Sequence, residues 1–165
     1  MAQSTTSAIT DTIINQIPLN EAEATYENNI ELSKQQELDY TNEMNRLIDE
    51  MVAAIDNFNS ATNYSTNWTD KADEVLTTIQ SIAEDIDYLE TPDWFYETHE
   101  NISSHAANLY SGAKSVKKSL RDSNFSALSK GRDTISNGRT EILLDKIDLI
   151  PTKNIEDKIN IWKQK

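Results

Sequence analysis

The apolar positions of this chain recur at helical spacing over most of its length. The cleanest seam is Trp68, Ala72, Val75, Ile79, Ile82, Ile86 and Leu89, stepping alternately by four and three, with Leu76 and Ala83 widening the stripe. That spacing predicts a core-facing helix over 68–89. Upstream, Met44, Ile48, Met51, Ile55 and Phe58 form a second seam with Leu47 and Ala54 beside it, and no glycine or proline interrupts the chain between Glu21 and Pro92. One long first helix is predicted over about 20–60. Its first turns, patterned only around Tyr26 and Ile30, would overhang or bend. Pro18-Leu19-Asn20 marks its start, where Asn20 with Glu23 three residues on is capping-box-like.

The polar run Asn57–Asn67 reads as the break between these two helices, because Asn, Ser and Thr side chains compete for backbone groups. A third helix is predicted over 89–120. Thr91-Pro92-Asp93 sets a capping residue before a proline at the first helical position. Acidic Asp93, Glu97 and Glu100 stand early and basic Lys114, Lys117, Lys118 and Arg121 late, which matches the helix dipole. Phe95, Ile102, Leu109, Val116 and Leu120 share one face with Ala106 and Ala113. A fourth helix opens near Asp122-Ser123-Asn124 with Phe125, Leu128, Ile135, Ile142 and Leu149 on one side, flanked by Arg132, Arg139 and Lys146. Pro151 ends it. Beyond, Ile155, Ile159 and Trp162 stand at helical spacing in a terminal segment.

Four amphipathic segments of this length predict an all-α fold, an antiparallel four-helix bundle with a long first helix. The competing arrangement is a three-helix core from which the first helix extends to pair with another chain. Residues 1–19 read as a flexible N-terminal segment, 20–150 as the bundle, and 151–165 as a tail or short helix. The three glycines, Gly112, Gly131 and Gly138, all fall inside predicted helices, where each costs about 1 kcal/mol against alanine. Gly131 and Gly138 lie one heptad apart beside Ile135, which points to close approach of a neighbouring helix or to a kink.

Charge changes the picture more than composition does. The net charge is −13. Residues 1–100 carry 21 acidic and 3 basic side chains, a balance of −18, and residues 101–165 carry 7 acidic and 12 basic, a balance of +5. An acidic chain argues against nucleic acid as a partner. The first two helices would repel each other if packed alone, so each should lie beside the basic end of the third or the basic side of the fourth. The cluster Lys114, Lys117, Lys118, Arg121, Lys130 and Arg132 surrounds the turn between the last two helices. It suits either an anionic surface or pairing with Asp56, Asp70, Asp73 and Glu74, which an up-down-up-down bundle brings to the same end.

Little in the chain suggests catalysis or a cofactor. There is no cysteine, hence no thiolate ligand or disulfide. His99 and His105 are six residues apart, whereas a zinc-protease helix needs four, and neither has a glutamate three residues before it. They project about 60° to either side of the Ile102 line and cannot share a metal within one helix. Boundary histidines capping a core are the expectation, with no metal, no cofactor and no enzyme activity. No run is long enough to span a membrane, and the start MAQSTTSAIT lacks the charged and apolar regions of a signal peptide.

Pro92, Phe95 and His99, followed by Ala106, Leu109, Tyr110 and Ala113 and by Leu128, Gly131, Ile135 and Gly138, resemble a diffuse class of prokaryotic cell-envelope proteins. These are often lipoproteins or secreted proteins with four-helix domains, and the likeness covers roughly residues 68–148. It implies an extracytoplasmic setting, cytoplasmic being the alternative, with a protein partner or envelope component and no established activity. The lipid-attachment cysteine of such lipoproteins is missing. A helical bundle binding a small ligand or metal through either histidine is the alternative function.

Overall fold

The computed structural model describes residues 19–61 and 68–149. Helix α1 spans Leu19–Ala61, α2 Trp68–Asp87, α3 Tyr96–Arg121 and α4 Phe125–Asp148, and a short 3-10 turn over Asp93–Phe95 leads into α3. Each helix packs against two others, giving the neighbours α1–α2, α2–α3, α3–α4 and α4–α1, while the diagonal pairs stay apart. This is a square four-helix bundle. Consecutive helices run antiparallel: Asp49 and Asp56 of α1 meet Lys146 and Arg139 of α4. Likewise Asp73 and Asp87 of α2 meet Lys117 and Ser103 of α3.

The predicted seams are the core. Met44, Ile48, Met51, Ile55 and Phe58 of α1 are fully buried, as are Ala72, Leu76, Ile79 and Ile86 of α2. Ile102, Leu109 and Val116 of α3 and Ile135 and Ile142 of α4 close the layer. Burying a large apolar side chain contributes about 1.5–3 kcal/mol, so these seams carry the fold. Phe125 is the exception, 75% exposed instead of on the buried stripe. The α1–α4 register puts Ala61, the last residue of α1, level with Thr134, so α1 ends well short of Phe125.

Helix ends differ from expectation in informative ways. Helix α1 begins at Leu19, so Asn20 lies within it, and it runs on to Ala61, through the first part of the predicted polar break. Helix α2 stops two residues before Leu89. The proline-opened start at Thr91-Pro92 is the 3-10 turn rather than α3 itself. Thr91 Oγ1 donates to the Leu89 carbonyl at 2.9 Å, so it closes the loop instead of capping the helix. The α3–α4 turn follows the sequence closely. Asn124 Oδ1 accepts from the Ala127 amide at 3.1 Å as N-cap, and Ser123 takes φ 54° where a glycine commonly ends a helix. Expectations for residues 1–18 and 151–165 lie outside the described residues.

The glycines sit where α3 and α4 come closest. A Cβ on Gly131 would stand 2.6 Å from Val116 Cγ2, one on Gly138 2.6 Å from Leu109 Cδ2, and one on Gly112 3.1 Å from Thr134 Cγ2. Close approach, one of the two explanations for glycine here, accounts for all three.

One dimension departs from a plain bundle. At 1.5 Å per residue the 43 residues of α1 reach about 64 Å, against about 30–39 Å for α2, α3 and α4. Its C-terminal half, from Tyr40 onward, lies in the square, and the remainder runs past the end formed by the α2–α3 loop and the end of α4. Among the described residues the first helix therefore belongs to the four-helix core and outruns it.

Candidate functional site

The basic cluster divides between partners. Lys117 Nζ donates to Thr77 Oγ1 at 2.6 Å and lies 3.5 Å from Asp73, and Arg121 lies 3.6 Å from the same carboxylate. Lys118 pairs with Asp122 at the end of its own helix. Lys114 and Lys130 are exposed, and Arg132 is half-buried. Of the four acids expected to neutralise the cluster, Asp73 does so. Asp56 instead forms a two-pronged pair with Arg139 of α4 at 2.8 and 2.9 Å, and the guanidinium holds its carboxyl below the ordinary range. Arg132, Arg139 and Lys146 recur every seven residues on the α1 side of α4, and Lys146 meets Asp49 at 2.5 Å. The two acidic helices thus each take a basic neighbour, as the divided charge predicts. The six cluster residues do not form one surface: Lys114, Lys117, Lys118 and Arg121 flank α2, whereas Arg132 belongs to the α1-facing line.

Exposed pairs contribute at most about 1 kcal/mol each and weaken with salt. Changing Lys117, Lys118 and Arg121 together to glutamate should therefore lower stability modestly, by about 1–2 kcal/mol, with helix content retained and part of the loss recovered by added salt. Urea midpoints at low and high salt check this. A variant as stable as the parent at low salt would free the ridge for an anionic partner.

The histidines sit on opposite sides of the Ile102 line and serve the core boundary. His105 Nδ1 meets Asp145 of α4 at 2.6 Å. His99 is buried, its Nδ1 3.3 Å from the Tyr40 hydroxyl and its ring also bonded to the Asp87 backbone. With its proton on Nε2, the neutral ring accepts from Tyr40 and donates to Asp87. Phe95 completes this layer, with ring centres 5.0 Å from Tyr40. No group of three or more His, Asp or Glu side chains is placed to hold a metal among the described residues.

Burial pushes the His99 ring below its ordinary value of 6.5, against a smaller upward pull from the Asp87 backbone bond and from the charges of Asp87 and Glu100. Between the folded and unfolded values the unfolded chain binds more protons, so stability falls as pH drops below about 6.5. A His99→Gln variant should lose that slope, measured as urea midpoints between neutral and mildly acidic pH. An unchanged slope would place the titration elsewhere.

A recessed polar surface lies next to this layer. A groove of about 530 Å³ runs between α1 and the α2–α3 loop, lined by Gln36, Asp39, Tyr40 and Glu43 on one side and by Leu89 to Trp94 on the other. Asp39, Glu43, Glu90 and Asp93 make it acidic. Glu43 is held below the ordinary carboxyl range by its two-pronged bond to Arg46 and stays charged. The Trp94 Nε1–H is buried without an acceptor among the described residues. An aromatic wall beside carboxylates suits an ammonium or guanidinium group, through ion pairing and cation–π attraction. The sequence alone does not show the groove, because Asp39 and Glu90 come to its two walls only through the path of the loop.

Comparison with protein-family models, with curated proteins and with solved structures finds no match to the chain. No described helix is long and apolar enough to cross a membrane.

Proposed function

We propose that the protein is a non-enzymatic structural or interaction module of the prokaryotic cell envelope, and that it engages a basic partner through the acidic side of α1. The observation that carries this reading is the length of α1, which continues as helix well past the square. Its outer stripe there runs through Leu32, 60% exposed, and Gln36 to Asp39 and Glu43, and leads into the acidic groove. A helix that outruns its own core presents side chains to something else. Leu32 gives that surface an apolar anchor, and the carboxylates select a cationic partner and steer its approach. The envelope setting rests on the resemblance over residues 68–148.

The test compares the full chain with an Asp39→Asn/Glu90→Gln/Asp93→Asn variant in cells, by fractionation and then crosslinking. The proposal expects the parent in the envelope fraction and a basic crosslinked partner that the equally helical variant loses. Recovery in the soluble fraction, with the same crosslinks from both, would contradict it. A second reading, metal or small-ligand binding, is favoured only by the His105–Asp145 pair. Saturable heat with zinc, iron or copper, abolished by His99→Ala/His105→Ala, would promote it.

A further inference from the structure

Between α2 and the C-terminal turns of α3 lies a recess of about 580 Å³, lined by Lys114, Lys117, Lys118 and Arg121 with Gln80 of α2. Among the described residues of its lining, Asp122 is the one carboxylate. Lys114, Lys118 and Arg121 fall within about 60° of one another on the side of α3 away from the buried Val116, and Lys117 turns towards α2. The helix dipole favours cations in the last turn, which holds Lys118 and Arg121. Its reach ends there, and Lys114 stands one turn farther back. Ion pairing leaves a remainder too. Elsewhere Arg46, Arg139 and Lys146 reach carboxylates at 2.5, 2.8 and 2.5 Å. Lys117 and Arg121 share a single one, Asp73, at 3.5 and 3.6 Å. Lys118 takes Asp122, and its side chain is still 78% exposed. Lys114 is exposed, with no carboxylate in reach among the described residues.

We infer that this recess binds clustered phosphate groups. Its four cations against Asp73 and Asp122 leave a local balance of +2, in a chain whose total is −13. At physiological salt exposed charges are screened beyond about 8 Å, so the local balance decides what is held here. The neighbouring acids stand to one side. Asp70, Asp73 and Glu74 line an adjoining recess, and Lys117 and Arg121 form the border between the two. Lys117 donates to Thr77 Oγ1 at 2.6 Å and is 16% exposed, so its ammonium is already positioned. Arg121, 71% exposed, keeps most of its planar donor fork for two phosphate oxygens at once. Exposed pairs as long as those to Asp73 contribute at most about 1 kcal/mol, so they yield to an anion that accepts from several donors together. Seven residues of helix, about 10 Å, separate Lys114 from Arg121. That span exceeds a single carboxylate and suits phosphates in a row. Such groups occur linked in one soluble molecule or side by side on an anionic lipid surface, and both offer the same oxygens to the recess.

The recess lies about 30 Å along α3 from the acidic groove, so the inference stands whether or not that groove binds a partner. Full-length protein is titrated with tripolyphosphate in a calorimeter at low and high salt. Saturable heat that weakens with salt is expected, the affinity falling about tenfold or more in a Lys114→Gln/Lys118→Gln/Arg121→Gln variant. Lys71→Gln/Lys130→Gln removes two exposed cations outside the recess and should leave the affinity within about twofold. On the parent itself, tripolyphosphate should shield Lys114 and Lys118 from a monofunctional acylating reagent more than it shields Lys71 and Lys130, a readout that needs no variant. Vesicles then separate the two sources. Pelleting of the parent, and not of the triple variant, with phosphatidylglycerol vesicles gives the recess to a lipid surface. Tripolyphosphate binding without pelleting gives it to a soluble phosphate. No saturable heat, an equal loss of affinity in both variants, or uniform shielding of all four lysines would overturn the inference.

Discussion

Replacing Gly131 with leucine is expected to destabilise the protein by about 3 kcal/mol, the upper range for forcing a large side chain into a packed interface. Even the first added carbon would stand 2.6 Å from Val116 Cγ2, 3.4 Å from the Val116 backbone nitrogen and 3.6 Å from the Gly112 carbonyl. Val116 is β-branched and stiff in a helix, and backbone atoms cannot turn aside, so α3 and α4 would have to separate. Alanine at the same site gains about 1 kcal/mol of helix propensity and still loses on balance. At Gly138 an added Cβ would stand 2.6 Å from Leu109 Cδ2 and 2.8 Å from its Cγ, and Leu109 is fully buried, so Gly138→Ala should also destabilise, but by less than Gly131→Ala because no backbone atom of α3 is in contact. Urea unfolding of the three variants measures the order. A stabilised Gly131→Ala protein would mean that the helices are farther apart than described.

Truncating Phe95 to alanine should cost about 3–5 kcal/mol, the usual range for a fully buried aromatic. Phe95 is 1% exposed and packs against Tyr40, whose hydroxyl in turn bonds His99. Its loss removes buried area and also frees the layer beneath the acidic groove. The matching control is Phe125→Ala, which at 75% exposure should change stability by less than about 0.5 kcal/mol. Thermal or urea midpoints for the pair test this, and equal effects would contradict the assignment of Phe95 to the core and Phe125 to the surface.

Both phenylalanines stand on the predicted apolar faces of their helices, and only one is buried. Periodicity gives direction around a helix axis and says nothing of how far the neighbouring helix extends. The α2 seam was legible almost residue by residue, because Trp68 to Ile86 lies between two neighbours along its whole length. Helix ends were less so: Thr91 and Pro92 have the composition of a cap, and the chain uses them to shape a loop. Charge was legible at the level of whole helices, which identified α3 and α4 as the basic neighbours of the acidic pair. It could not specify that Asp56 would choose Arg139, since that depends on a register fixed by core packing. The groove was illegible for a related reason. Its two walls are about fifty residues apart in sequence, and its acids look like an ordinary solvated helix face until the loop folds against them.

An unbroken α1 that outruns the described bundle is the central feature of the fold, and spin labels report its length directly. With no native cysteine, labels at Asn29→Cys and Ser60→Cys, both exposed, mark the overhang and the far end of the helix. Thirty-one residues of continuous helix separate them by about 46 Å along the axis. A single narrow distance distribution at or slightly above that value is the predicted result. A distribution centred well below it, near about 30 Å, the length of a plain bundle helix of 20 residues, would show α1 folded back on the square and would contradict the account.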